Sequence, residues 1–392
     1  MNLYFDNCST SFPKPNNVVE SINNFISNIG ASSSRGSYKL SMTSNKILFE
    51  CKQALCSLFN YNKSENIVFT YNATYAFNLI LSSLINSDLF NNKPHILISN
   101  LDHNSTVRPL INLKNKGKIE LDYINCINNN IFLDIDDLKN KIKYNTKFLI
   151  ISHMSNVIGN IQNLNILSKI CKENNIFFII DIAQSAGIVN IDLSNLYFSA
   201  IIFTGHKNLF STQGIGGFII SDNLLNNCEN FFLGGTGSES SNLVSKTNMP
   251  DYFEIGTQNM IGISSLLSGI NFINSFGINN IFNHKKQILK NIYDEIKNIN
   301  DIIILNNVNL TNQNSTLCIN YKNLSPDKVA FILDKYFNIS VRAGLHCAPN
   351  THKLIKTFPY GCIRISPSIF NTQDDINFLI SSLYKISKNN YY

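Results

Sequence analysis

Two unbroken apolar runs, Phe177-Phe178-Ile179-Ile180 and Phe198-Ser199-Ala200-Ile201-Ile202-Phe203, leave this chain few folds to choose from. Neither alternates polar with apolar residues, so both faces of each strand must be covered. That is the condition of a strand inside a parallel sheet with helices on both sides. The pattern continues in both directions, with strands predicted at 66–70, 96–99, 119–124, 147–152, 177–181, 198–203 and 216–220. Helical periodicity separates them; near 42–60, for example, Ile47, Leu48, Cys51, Leu55 and Leu58 share one face. Strands alternating with helices predict an α/β fold built on a mainly parallel seven-stranded sheet. Helices near 258–276 and 278–298 then lead into a smaller α+β unit, with strands near 302–305, 316–320 and 362–366. The expected division is a large domain over 1–257 and a small one over 258–392, with residues 1–30 packing on the small one. Residues 234–250 are polar and Gly/Ser-rich and read as a mobile loop.

Parallel strands deliver their C-terminal ends to one crevice. The first run ends in Asp181, and the second is followed by Thr204-Gly205-His206-Lys207. A carboxylate and an amine brought to one crevice are what pyridoxal 5'-phosphate requires: a lysine to hold its aldehyde and an anion to keep its ring nitrogen protonated. Without such a partner, a buried carboxylate at a strand end would be costly. Ala73-Thr74 opens a helix directly after a strand, where backbone N–H groups and the Thr hydroxyl can hold a phosphate; a plain N-cap threonine has the same signature. Arg364 follows the apolar stretch Cys362-Ile363, and its planar fork suits the carboxylate of an amino acid, a surface ion pair being the alternative.

Of the nine cysteines, most fall inside apolar patterns, where the thiol behaves as a small hydrophobe. None forms a CxxC pair, so neither a zinc ribbon nor a thioredoxin-type site is signalled, and no metal is expected. Cys347 differs, lying in Gly344-Leu345-His346-Cys347-Ala348-Pro349, a loop bounded by Gly and Pro. A solvent-reachable thiol beside His346 and within reach of Arg342 reads as a nucleophile. The net charge of +6 is scattered, without a dense Lys/Arg block, which argues against nucleic acid as a partner. No run of about 18 apolar residues is present, so no membrane span is expected, and MNLYFDN carries no secretory signal. A cytoplasmic location is expected.

Eight motifs stand in one order: Asn72-Ala73-Thr74, Asp102-His103-Asn104-Ser105, Ser155-Asn156-Val157-Ile158-Gly159, Asp181-Ile182-Ala183-Gln184, Thr204-Gly205-His206-Lys207, Glu254-Ile255-Gly256-Thr257, Arg342-Ala343-Gly344-Leu345-His346-Cys347 and Ile363-Arg364-Ile365-Ser366. Together they resemble the cysteine desulfurases of the class V aminotransferase group, on the fold-type I scaffold of pyridoxal-phosphate enzymes, over essentially the whole chain. The resemblance implies that His103 stacks on the cofactor ring and relays protons. It implies that Asn156 and Gln184 donate to the ring oxygen, that Thr204 and His206 join Thr74 on the phosphate, and that Thr257 reaches the phosphate of a neighbouring subunit in a homodimer. L-cysteine is then the substrate, held by Arg364 with help from Arg342 and Asn156. Lys207 removes its α-proton, and Cys347 takes its sulfur as a persulfide for a protein or small-molecule acceptor, leaving alanine; selenocysteine is a second possible substrate. An aminotransferase, epimerase or other β-lyase with an incidental Cys347 stays open, as does a non-catalytic scaffold, against which the Lys207/Asp181 pair argues. Leu345 stands where the best-known group has a second histidine, and Ser34 and Tyr75 also depart from the commonest pattern.

Overall fold

A computed structural model describes residues 3–33, 36–127, 131–229, 231–235, 248–306, 308 and 312–389. Ser34 and residues 236–247 of the expected loop lie outside the described residues.

The seven predicted strands form one sheet: β1 (Ile67–Thr70), β2 (His95–Ser99), β3 (Glu120–Ile124), β4 (Thr146–Ser152), β5 (Phe177–Asp181), β6 (Ala200–Thr204) and β7 (Gly216–Ile220). Their order is β1-β7-β6-β5-β4-β2-β3. The pairs among β3, β2, β4, β5 and β6 are parallel, whereas β7 runs antiparallel to both neighbours. Gly216 and Gly217 let it wedge there: a Cβ on Gly217 would lie 2.2 Å from the Val68 carbonyl oxygen. Successive residues of each strand enter different cores. Phe178, Ile180, Ile201 and Phe203 pack on one face, while Ile179, Ala200 and Ile202 pack on the other. This two-sided burial is why the runs read as continuous rather than alternating.

A second sheet comprises β8 (Ile302–Ile304), β9 (Leu317–Tyr321), β10 (Arg342–Gly344) and β11 (Cys362–Ile365), in the antiparallel order β8-β9-β11-β10. Its Leu317, Ile319, Ile363 and Ile365 pack into a core with helices Ile278–Ile296, Pro326–Phe337 and Gln373–Ser387. The opposite face turns Cys318 and Cys362 into the core of the large sheet. Leu3–Tyr4 pairs with Ile339–Ser340, and Asp6 bridges Ser366, so the N-terminus is laid against this smaller sheet. Helix Met260–Phe276 packs on helices Asn16–Asn24 and Lys39–Phe59 and buries Ile263, Leu266 and Ile270 in the large core. It begins just past the expected division at 257/258, but its apolar face is covered from the large side.

Candidate active site

A cavity of about 630 Å³ opens where β4, β5 and β6 end, roofed by the edge of the small sheet and by the N-terminal segment. It collects almost all of the expected residues: Ala73, Thr74, His103, Asn156, Asp181, Gln184, Thr204, His206, Lys207, Arg342 and Arg364. Asp181 closes β5 opposite Ile202 of β6, so the turn carrying Lys207 leaves the sheet beside it. The Ala183 N–H donates to the Asp181 carboxyl at 2.8 Å. Burial pushes this carboxyl up, against the opposing pull of that N–H and of Lys207. Burial likewise pushes the Lys207 amine down, with Asp181 opposing. The Asp181 carboxylate therefore lacks a full counter-charge, which a cationic ring nitrogen over it would supply.

His103 is the N-cap of helix Asn104–Asn115, and its Nδ1 accepts the Ser105 N–H at 3.1 Å. That bond leaves the proton of the neutral ring on Nε2. Burial, then the charges of Lys207 and Arg342, push His103 down to about 3, so it meets the cavity as neutral imidazole. At the far end, Asn72 caps helix Ala73–Leu84 by accepting the Tyr75 N–H at 2.9 Å. The Ala73 and Thr74 amides of that first turn have no intrahelical partner, as at any helix start. Nearby Thr204 Oγ1 and His206 Nδ1 are buried without hydrogen-bond partners among the described residues. Burial, then Lys207 and Lys14, push His206 down to about 4. Partnerless donors, free helix amides, a buried carboxylate and a buried amine on one cavity fit a phosphate joined to a cationic ring.

Asn156 and Gln184 are placed as expected but are partly committed. Asn156 Nδ2 donates to the His346 carbonyl at 2.7 Å and Gln184 Nε2 to the Cys8 carbonyl at 3.0 Å. Each NH₂ keeps one further hydrogen for a ring oxygen.

Arg364 is 1 % exposed and already held by three acceptors. Its Nη1 donates to the Asn156 carbonyl at 2.9 Å, and its Nη2 to Asp6 Oδ1 at 2.6 Å and Ser9 Oγ at 2.9 Å. Only Nε has no partner among the described residues. Arg342 donates from Nη1 to the same Ser9 hydroxyl at 2.9 Å, and its Nη2 lies 3.8 Å from Cys347 Sγ. A single hydroxyl thus joins the guanidinium beside the thiol to the one deep in the cavity. Cys347 is the one exposed cysteine of the nine.

One expectation changes. His346 does not flank the thiol: it is buried, with Nε2 on the Cys362 carbonyl at 3.1 Å, and burial first, then Arg364, push it well down. Both His346 and Cys347 have positive φ, 48° and 58°, and this turn sends the imidazole inward and the thiol outward. Thr257, expected at a neighbouring subunit's phosphate, does not line this chain's own cavity. It lines a neighbouring one of about 190 Å³ with Tyr71, Tyr75 and Glu254. That segment is pinned by a buried ion pair, Lys52 Nζ to Glu254 Oε1 at 2.9 Å, and by the Phe69 N–H on the same carboxylate at 2.9 Å.

The class-V aminotransferase family matches residues 3–379. The chain belongs to that family. Among its class-V relatives, a probable cysteine desulfurase of Borreliella burgdorferi is 30% identical, with 98% of this chain and 92% of that protein aligned. A cysteine desulfurase of Wigglesworthia glossinidia brevipalpis is 28% identical over 98% of this chain and 93% of that one. An apo structure of a cysteine desulfurase from Thermococcus onnurineus superposes with a TM-score of 0.92 at 28% identity, covering 99% of this chain and 95% of that chain. The mainly parallel sheet with helices on both faces is the fold-type I architecture of these class-V neighbours.

Sequence reasoning missed four contributors to this class-V site. Asp102 accepts the Ser99 N–H at 2.6 Å and the Ser152 N–H at 2.5 Å, tying the ends of β2 and β4 together under His103. Burial pushes it up to about 6 against those two bonds. Its position before His103 at a strand end was the available signal. Asp6 and Ser9 hold Arg364, and Cys8 lines the cavity. No local pattern marks them, because the N-terminus reaches the site through tertiary pairing alone.

Proposed function

We propose that this chain is a pyridoxal-phosphate-dependent cysteine desulfurase that converts L-cysteine to L-alanine and takes the sulfur onto Cys347. The observation that carries the reading is the exposed Cys347 thiol, 3.8 Å from an arginine whose hydroxyl partner also holds Arg364. The cofactor, when bound, supplies an electron sink for the substrate's α-carbon. Thr74, Thr204 and His206 with the Ala73 turn would hold its phosphate, Asp181 its ring nitrogen and Lys207 its aldehyde. Arg364 orients the substrate carboxylate with the open Nε edge of its fork. Lys207, whose charged form burial disfavours, takes the α-proton at Nζ. His103 keeps its Nε2–H directed at the cavity. Cys347 Sγ attacks the substrate sulfur: an S–S bond forms, the C–S bond breaks, and its electron pair takes up a proton on the way to alanine. Enzyme thiol plus cysteine gives enzyme persulfide plus alanine, and a protein or small-molecule acceptor then removes the sulfur. Two copies of the chain form the working unit, with Thr257 of each completing the phosphate site of the other; sedimentation as a monomer would rule that out.

Cys347→Ala tests the reading. The variant is expected to keep its cofactor colour but to form neither protein-bound persulfide nor alanine from cysteine. Undiminished alanine formation, or a persulfide mapped by mass spectrometry to another cysteine, would overturn it. A 2-oxo acid formed in place of alanine would favour the aminotransferase alternative.

A further inference from the structure

Behind the Cys347 loop the structure buries two histidines and two thiols that the reaction does not use. Antiparallel register sets Cys318 of β9 opposite Arg364 of β11, so Cys362, two residues earlier, shares that face. The Cys318 thiol lies against that of Cys362. The His346 ring reaches the pair from the loop, with Nε2 3.5 Å from Cys362 Sγ. His352, on helix Pro349–Leu354, lies beside it with ring centroids 5.5 Å apart. His346, His352 and Cys362 each offer a ligand atom within 4.8 Å of the others, and their exposures are 3 %, 0 % and 0 %.

The hydrogen bonding of the two rings is the second observation. His346 has Nε2 on the Cys362 carbonyl at 3.1 Å and Nδ1 without a partner among the described residues. His352 has Nδ1 on Thr357 Oγ1 at 2.7 Å and, among the described residues, Nε2 without a partner. Two buried imidazole nitrogens without partners among the described residues, on rings whose centroids are 5.5 Å apart, need an explanation. A ring anchored through one nitrogen with the other free is how histidines are prepared as metal ligands.

We propose that His346, His352 and Cys362, whose ligand atoms lie within 4.8 Å of one another, form a structural site for zinc, with the Cys318 thiol drawn in as the fourth ligand. Two imidazoles and two thiolates suit a tetrahedral, borderline-soft ion. Two thiolates also cancel the divalent charge, so no net charge is added next to Arg364. Metal–ligand bonds of about 2.0–2.3 Å set neighbouring ligands roughly 3.3–3.8 Å apart, so the three-residue cluster would close by about 1 Å, and Cys318, which stands outside it, would move in to complete the tetrahedron. Binding releases the thiol protons, including the one Cys318 now donates to the Val157 carbonyl at 2.9 Å. The ion would clip the loop carrying Cys347 to β9 and β11, and so to the strand that carries Arg364. It would brace the two positive-φ residues from behind.

The test is the metal content of the full chain, purified without chelator or metal-affinity resin. Stoichiometric zinc by mass spectrometry is expected. Cobalt(II) added to demetallated protein should give the intense visible bands of a tetrahedral site with a thiolate-to-cobalt transition. Cys347→Ala should leave both results unchanged, and Cys362→Ser or His352→Gln should lower cobalt affinity at least tenfold. Substoichiometric zinc without a cobalt band in the unaltered chain overturns the proposal, and so does loss of metal in Cys347→Ala, which would place the ion on the exposed thiol. If Cys362→Ser fails to fold by circular dichroism, the cobalt spectrum of the unaltered chain decides. None of these readouts depends on the reaction catalysed.

Discussion

Replacing Arg364 by lysine separates the two duties this side chain is given, holding the site together and holding the substrate. The guanidinium meets the Asn156 carbonyl, Asp6 and Ser9 at 2.9, 2.6 and 2.9 Å. An ammonium on an unbranched stem can serve one of these well, so two charge-assisted bonds are lost. At about 1.5–3 kcal/mol each, the loss would reach roughly 3–6 kcal/mol. Asp6 is 19% exposed, so water recovers part of its share and the lower end, about 3 kcal/mol, is expected. That shift is read from urea unfolding without substrate. The second measurement is steady-state kinetics with cysteine. Lysine has no counterpart to Nε, the donor left open for the carboxylate, so that charge-assisted contact is lost, and kcat/KM should fall about 100-fold, or about 2.7 kcal/mol. An unfolding midpoint equal to the parent's would refute the packing argument. A kcat/KM within about threefold of the parent would refute the role of Arg364 as anchor, whatever the stability.

Two further substitutions probe the cavity and its support. Lys207→Ala should abolish both the lysine-linked yellow chromophore after reconstitution and turnover, and retention of either would displace this residue from the centre of the site. Lys52→Met should destabilise the fold by about 3–5 kcal/mol at neutral pH, because Glu254 is left buried without its cation. Burial already pushes Glu254 up, with Lys52 opposing, so removing the lysine raises it further. A carboxyl raised in the folded state costs stability above its folded value, and the cost fades as pH falls toward the unfolded value. The gap between variant and parent in urea should therefore narrow between pH 7 and pH 5; a constant gap would mean that Glu254 is not the ionised partner.

The central sheet was legible because burial on both faces writes itself into the sequence as unbroken apolar runs, as in Phe177–Asp181. Strand-end residues were legible for a related reason: once β5 and β6 are read as parallel, Asp181 and Lys207 must meet. β10 was not, since Arg342, Ala343 and Gly344 carry no pattern and become a strand only by pairing with β11. Neither was the Asp6–Ser9 contribution, which depends on Leu3–Tyr4 finding Ile339–Ser340 more than three hundred residues away in the chain. The cysteines show the same limit. Spacing correctly reported no CxxC motif, yet Cys318 and Cys362 meet through strand register, which spacing in the chain does not encode.

His346 shows how adjacency in sequence misleads about chemistry. Read as a neighbour of Cys347, it looked like a group that favours the thiolate; in the fold it is a buried anchor. The backbone explains what is left for Cys347 to do. The carbonyl of His346 accepts from Asn156 Nδ2 at 2.7 Å, and that of Cys347 accepts the Asn104 N–H at 2.8 Å. Both donors belong to the large sheet's crevice, Asn104 next to His103 and Asn156 next to Arg364's acceptor carbonyl. The loop is thus tied at two successive carbonyls to the residues that shape the cavity. Swinging it outward would break both bonds, about 1 kcal/mol each, and release two residues from positive-φ conformations that the packing imposes. Rotation of the Cys347 side chain breaks neither. The thiol can therefore face the cavity rim or solvent with the main chain fixed, and Arg342, 3.8 Å from Sγ, is the group whose contact that rotation makes or breaks.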